Sequence, residues 1–123
     1  MRLIQDGSEE WGRAFEHFLI EEIRAYLSYR ERHAPLAYWR TSTGLEVDLI
    51  VGQLDLAVEF KASRQVDERH LKGLRALMAD QDVREAIVVS QDAAIRELSG
   101  GVTVYPWREF CGKLWGDGFR TLI

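Results

Sequence analysis

Two carboxylates and a lysine stand close together in the middle of the sequence, in segments that read as paired strands. Asp48 lies in Leu45-Glu46-Val47-Asp48-Leu49-Ile50-Val51, and Glu59 and Lys61 lie in Leu56-Ala57-Val58-Glu59-Phe60-Lys61. Both runs alternate as strands do, so parity decides what each side chain faces. Leu45, Val47, Leu49 and Val51 point one way, and Glu46, Asp48 and Ile50 the other. Leu56, Val58 and Phe60 form the apolar face of the second strand, with Ala57, Glu59 and Lys61 opposite. For the two apolar faces to join one core, paired positions must sum to an odd number. A turn at 53–54, or a four-residue loop over 52–55, gives 107, which sets Asp48 against Glu59 and Glu46 against Lys61. A bulge would shift this pairing by one.

Directly opposed carboxylates repel, and a chain selected for stability alone avoids them. They are tolerated when they share a proton, hold a cation between them, or stay hydrated. Oxygen ligands that keep coordinated water suit Mg²⁺ or Mn²⁺. Lys61, on the face of Glu59, can orient a metal-bound water or stabilise charge on a phosphate. The plain alternative is an exposed Glu59–Lys61 ion pair, worth at most ~1 kcal/mol. An E-x-K triplet alone does not separate these readings. Asp48 in register with it favours a site.

The elements that must position this hairpin follow from periodicity and punctuation. Residues 9–31 read as a helix, with Ser8 as N-cap, Glu9 and Glu10 in the first turn, and an apolar stripe of Trp11, Phe15, Phe18, Leu19 and Tyr26. Glu16 heads a second flank with Ile20, Ile23 and Leu27, where an unpaired carboxylate needs a cation or a solvated edge. Glu22, on the aromatic stripe, is its rival. Three strands follow, at 36–42, 45–51 and 55–61, with Thr43-Gly44 as the first turn. A helix runs from an Asp67 cap to about Ala79 on Leu71, Leu74, Leu77 and Met78. Residues 86–89 are a continuous apolar run, as in a strand buried on both faces. A short helix is expected over 92–98, a strand over 102–105, and a final helix after Pro106 on Trp107, Phe110, Cys111, Leu114 and Trp115. The order αβββαβαβα implies an α/β fold, a mixed sheet flanked by helices with a right-handed crossover. One domain is expected over 1–123, with flexible ends at 1–8 and 116–123.

Composition sets the limits. The 123 residues are 46% hydrophobic and 29% charged, as in a globular protein, and no apolar run has the roughly 20 residues of a membrane span. With no signal-peptide pattern, a cytoplasmic location is expected. Cys111 is the only cysteine, so an internal disulfide and a cysteine metal cluster are excluded. His17, His33 and His70 lack metal-ligand spacing. The net charge of −4 counts against tight nucleic-acid binding, although metal-binding carboxylates contribute to it. Basic residues are skewed to arginine, 13 against 3 lysines, which suits phosphate contact but also follows from a GC-rich genome.

Three segments carry a family resemblance. Gly12-Arg13-Ala14-Phe15-Glu16 resembles a G-x-x-F-E helix start, Tyr38-Trp39-Arg40-Thr41 with Gly44-Leu45-Glu46-Val47-Asp48 resembles Y-W-R-T…G-x-E-V-D, and Val58-Glu59-Phe60-Lys61-Ala62-Ser63 resembles E-x-K-x-S. Over residues 10–90 the chain resembles the C-terminal domain of unknown function of bacterial and archaeal AAA-type ATPases, and more broadly the PD-(D/E)xK nucleases. The resemblance implies a restriction-endonuclease-like core and Mg²⁺-dependent hydrolysis of DNA. It implies metal ligands at Asp48, Glu59, the Phe60 carbonyl and Glu16, and a catalytic Lys61. It also offers Arg40, Ser63 and Arg64 as phosphate contacts, although all three read equally well as solvated polar residues. Val47 stands where the leading proline of the motif would be, and no P-loop sequence occurs. The alternative is a catalytically silent module that docks on or regulates an ATPase. A homodimer is a further expectation, since two-strand cutting requires two sites.

Overall fold

The computed structural model describes residues 8–122. Helix α1 spans Glu9–Tyr29. Ser8 is extended, and its hydroxyl accepts the Trp11 N–H at 3.0 Å, satisfying one of the donors a helix start leaves open. Glu9 and Glu10 sit in the first turn, at the positive end of the helix dipole. The buried face is Phe15, Leu19, Ile23, Tyr26 and Leu27. It is turned from the expected stripe, because Phe18 is 46% exposed while Ile23 and Leu27 are inside.

Six strands follow: β1 (Leu36–Arg40), β2 (Glu46–Val51), β3 (Leu56–Phe60), β4 (Ala86–Ser90), β5 (Arg96–Leu98) and β6 (Val102–Pro106). They form one mixed sheet in the order β1-β2-β3-β4-β6-β5. The first three make an antiparallel meander, while β3–β4 and β4–β6 are parallel. Helix α2 (Lys72–Asp80), entered through a 3₁₀ turn at Glu68–Leu71 that Asp67 caps, links β3 to β4. Helix α3 (Trp107–Trp115) starts from Pro106, where proline costs no helix bond. Among the described residues no helix is long and apolar enough to cross a membrane.

The sheet is buried on both sides. Leu49, Val51, Val58, Phe60, Ile87 and Val89 pack with α1 and α3. Val47, Ile50, Ala57, Val88 and Val104 pack with Leu71, Leu74 and Leu77 beside α2. Every residue of β3 and β4 is buried, which explains why β4 reads as an unbroken apolar run.

The structure corrects the sequence reading in three places. Residues 92–98 are not a helix. They make a turn and then β5, which pairs antiparallel with β6, so the order is αβββαββα. The Asp92–Arg96 spacing suits a helix face, but here it closes a turn. Buried Asp92 accepts the Ser90 hydroxyl at 2.6 Å and the Val66 N–H at 3.2 Å, and its other oxygen takes Arg96 at 2.7 Å. The turn back into β6 uses Gly100 and Gly101 at φ 74° and 83°. Second, Val47 does not share a face with Leu49 and Val51. Ala37 pairs with Ile50 but Trp39 pairs with Val47, so Asp48 and Leu49 together oppose Tyr38 in a β-bulge. Third, Phe119 and Leu122 are fully buried, with Tyr105 and Phe110 against the Phe119 ring, so these residues are not a loose end. Of the ends expected to be flexible, 1–7 and 123 lie outside the described residues.

Gly73 of α2 seats the helix on the first residue of β2. A Cβ there would run into the Glu46 carbonyl and backbone. Gly12 of α1 meets nothing within 4 Å. Gly73→Ala is therefore expected to lose roughly 1–3 kcal/mol by overpacking, and Gly12→Ala to gain roughly 0.5–1 kcal/mol by reducing unfolded-chain freedom. Urea unfolding of both variants measures the contrast, and equal shifts would overturn the Gly73 contact.

Candidate active site

The hairpin register matches the parity argument where backbone pairing is made. Leu49, Ile50 and Val51 pair with Val58, Ala57 and Leu56, each sum being 107. Beyond Leu49 and Val58, side chains take over from the ladder. The Asp48 N–H donates to Glu59 Oε1 at 3.1 Å, and the Phe60 N–H donates to Asp48 Oδ2 at 2.8 Å. Each carboxylate therefore accepts a backbone N–H of the facing strand. Lys61 continues from β3, its N–H donating to the Val89 carbonyl at 3.0 Å. Its Nζ lies 3.6 Å from Glu59 Oε2. The structure thus brings Asp48, Glu59 and Lys61 together.

Glu59 is only 5% exposed. Burial first, and the neighbouring Asp48 second, push its carboxyl up to about 8, against the weaker opposing pull of Lys61 and the Asp48 N–H. Asp48 is raised chiefly by burial, partly offset by the Phe60 N–H and Lys61. Each carboxyl perturbs the other, so the two titrate as a pair and not as independent groups.

Glu16 reaches the same neighbourhood from α1. Its carboxyl is raised by burial and then by Asp48, with Lys61 opposing. A cavity of about 230 Å³ opens beside it, lined by Glu16, Tyr38, Arg40, Glu46, Val47 and Asp48. The β1–β2 bulge accounts for this, because it sets Asp48 on the α1 side while Val47 enters the α2 core. Glu22 is elsewhere and accepts the Trp115 indole N–H at 3.3 Å.

The remaining expected residues divide. Arg40 lines the cavity but is ion-paired to Glu46 at 2.6 Å, with its guanidinium over the Tyr38 ring. Glu46 thus has Arg40 for a partner, not the Lys61 that parity suggested. Ser63 and Arg64 follow Lys61. The Ser63 hydroxyl accepts the Gln65 N–H and its carbonyl accepts the Gln91 N–H, so Ser63 fixes the turn, while Arg64 is exposed. Phe60 puts its ring in the α1 core.

Among the described residues no three Asp, Glu, His or Cys side chains converge to hold a metal by side chains alone. Glu16 is thus not drawn into one cluster with Asp48 and Glu59. Two carboxylates are nevertheless a usual protein contribution to Mg²⁺, which keeps water and substrate oxygens as its other ligands. The donor chemistry of Asp48 and Glu59 fits such an ion.

One group escaped the sequence reading. Ser90, Asp92 and Arg96 clamp Val66, and with it the segment after Lys61. Arg96 Nη2 also donates to the Val66 carbonyl at 2.6 Å. The Asp92–Arg96 spacing was the available signal, and helical periodicity absorbed it.

The chain belongs to the family described as Domain of unknown function (DUF4143), whose profile matches residues 11–110. Searches of curated proteins and of solved structures found no match.

The raised carboxyls set a sign for pH dependence. A carboxyl with a higher pKa folded than unfolded binds its proton more tightly in the folded state. Its contribution is complete below the unfolded value of 4.5 and is lost as pH rises to about 8. The metal-free protein should lose stability across that window, by at most about 1.4 kcal/mol per pH unit for one group. Glu59→Gln should flatten the profile. Chemical unfolding from pH 4 to 9 tests this, and parallel profiles would show that Glu59 is not the raised group.

Proposed function

We propose that this DUF4143 chain is a metal-dependent phosphodiesterase acting on DNA, with Asp48, Glu59 and Lys61 as its catalytic face. The observation that carries the reading is buried Glu59 held against half-buried Asp48, with Lys61 beside them at the end of a strand hairpin. Two carboxyls held side by side by backbone donors are costly to ionise together, and a cation between them would offset that cost. The resemblance of the three motif segments to PD-(D/E)xK nucleases supports the same reading, and with it a restriction-endonuclease-like core.

Asp48 and Glu59 would hold Mg²⁺ or Mn²⁺, and Glu16 would face the same cavity as an additional acidic group. Such an ion supplies Lewis-acid stabilisation of phosphate charge and a more acidic water. Glu59 holds the Lys61 ammonium beside the pair, where it can meet a phosphate oxygen. Arg40 at the cavity mouth reaches phosphate by exchanging Glu46 for it. The turn after Lys61 is fixed from beneath by the Gln91 N–H and the Asp92 clamp, so Lys61 projects from a rigid base. Rigid support of this kind keeps reacting groups aligned.

A second reading, a silent module docking on or regulating an ATPase, draws on one observation. Each of the two carboxylates already accepts a backbone N–H, which is a structural use. Incubation with plasmid, single-stranded and branched DNA separates the two. Cleavage that requires Mg²⁺ or Mn²⁺ is expected, with Asp48→Asn and Lys61→Ala each lowering the rate roughly 100-fold or more. Cleavage unchanged in both variants would overturn the assignment. No cleavage of any substrate, with no Mn²⁺ binding heat, would leave the docking module.

A further inference from the structure

A second cavity, about 430 Å³, lies between α1 and the start of α3. Trp11 and Phe18 line it from α1, Trp107 and Arg108 from α3, and Gln91 from the end of β4. Phe18 meets Trp107 edge to face at 5.9 Å, and the Arg108 guanidinium lies 5.1 Å from the Trp107 ring centre. The Trp11 indole N–H donates to Gln91 Oε1 at 3.3 Å, fixing both at the rim. Phe18 and Arg108 are exposed, so an apolar wall and a cation face outward together.

We infer that this groove binds an unpaired nucleobase of the nucleic-acid strand engaged at Asp48, Glu59 and Lys61. The inference rests on the phosphodiesterase reading and narrows its substrate to strands with unstacked bases. Aromatic faces accompanied by arginine are how single-stranded nucleic acid is held, since every base has a π-face and every linkage an anion. The volume falls within the range of small-ligand sites.

Placement carries the inference further. Phe60 pairs with Val89 and Val89 with Tyr105 in parallel register, and Ser90 pairs with Pro106. Lys61 is therefore level with Ser90 and Pro106, and Gln91 and Trp107 stand one residue further along. Neighbouring strands are about 4.8 Å apart, which sets Gln91 roughly 5 Å and Trp107 roughly 10 Å across the sheet from the Lys61 strand. The groove thus continues from the carboxylate site along one edge of the sheet, at the carboxyl ends of β3, β4 and β6, where open sheets receive ligands. The backbone ties the two sites together as well, through the Gln91 N–H on the Ser63 carbonyl.

The test is fluorescence anisotropy of a labelled single-stranded oligonucleotide in EDTA, where cleavage cannot intervene. The single strand is expected to bind more tightly than its blunt duplex. An abasic chain of equal length should bind roughly 5- to 100-fold more weakly. Phe18→Ala and Trp107→Ala should each weaken the single strand by a similar factor, while Trp107→Phe restores it. Arg108→Ala should weaken both the oligonucleotide and its abasic form. Phe18 and Arg108 are exposed, so their variants do not depend on the core tolerating a cavity. Equal affinity for the abasic chain, or full affinity in Phe18→Ala and Arg108→Ala, overturns the groove. So does sedimentation showing that the groove variants break a dimer without altering oligonucleotide binding. The two readings fail separately. Cleavage lost in Lys61→Ala but indifferent to the groove variants removes only the groove, and groove-dependent binding without metal-dependent cleavage removes only the nuclease.

Discussion

Two carboxylates stand in for backbone at the end of the β2–β3 ladder. Asp48 and Glu59 each accept the N–H that a facing carbonyl would otherwise take. The constraint is strict. A side chain that completes the ladder cannot rotate away without leaving a donor unsatisfied, at roughly 1–3 kcal/mol if buried. The same bonds hold the two carboxyls together, with Glu59 buried and Asp48 half-buried at the cavity. The high carboxyl pKa of Glu59, the proximity of Lys61 and the single orientation of the pair all follow from that arrangement.

Several features of the fold preserve it. The bulge at Asp48 and Leu49 lets β2 bury Val47 against α2 and still present Asp48 towards α1. A regular strand would have put Val47 and Asp48 on the opposite faces. Gly73 lets α2 approach the backbone of Glu46, where any side chain would push β2 away. On the far side of Lys61, the Asp92–Arg96 clamp holds Val66. Asp92 is buried while Arg96 is partly exposed, so the ion pair itself adds little net stability, but losing Arg96 would leave a buried carboxylate short of a partner. Its placement ties the segment carrying Lys61 to β4, the strand at the centre of the parallel region.

The chemistry-bearing residues were legible in the sequence because they sit in strands whose alternation is nearly perfect. The sum of 107 needs only parity and a short turn, and Leu49, Ile50 and Val51 obey it. Asp67, Ser8 and Pro106 were legible for a similar reason, since caps and helix starts are local chemistry. What alternation could not reveal was the bulge. It changes the face of Val47 without changing any residue type, because valine is acceptable in either core. The strand at Arg96–Leu98 was hidden differently. Asp92 and Arg96 have helical spacing, and only the distant partner Val66 shows that the pair serves a turn. Phe119 and Leu122 follow a glycine-flanked stretch that looks like a loose end, and their burial depends on Tyr105 and Phe110 across the chain.

The position of α1 bears on how the two cavities relate. Phe15 lies at the core, Glu16 faces the carboxylate cavity, and Trp11 and Phe18 face the aromatic groove. At 100° per residue, Glu16 is turned about 160° from Phe18, so the helix separates an acidic flank from an aromatic one. A polymer touching both flanks must pass over the sheet edge near the start of α1, beside the turn that Ser63 and Gln91 tie together. Small molecules would occupy one cavity or the other. The proposed nucleic-acid strand, a flexible chain with an anion at each repeat and a flat ring attached to it, would meet both, the anion beside Lys61 and the ring against Trp107. The acidic net charge of the chain is compatible with this proposal, because the formal sum counts the raised carboxyls of Asp48, Glu59 and Glu16 as charged, while the groove presents Arg108. Charge at the point of contact, and not the sum over the surface, then decides which ligand this edge of the sheet accepts.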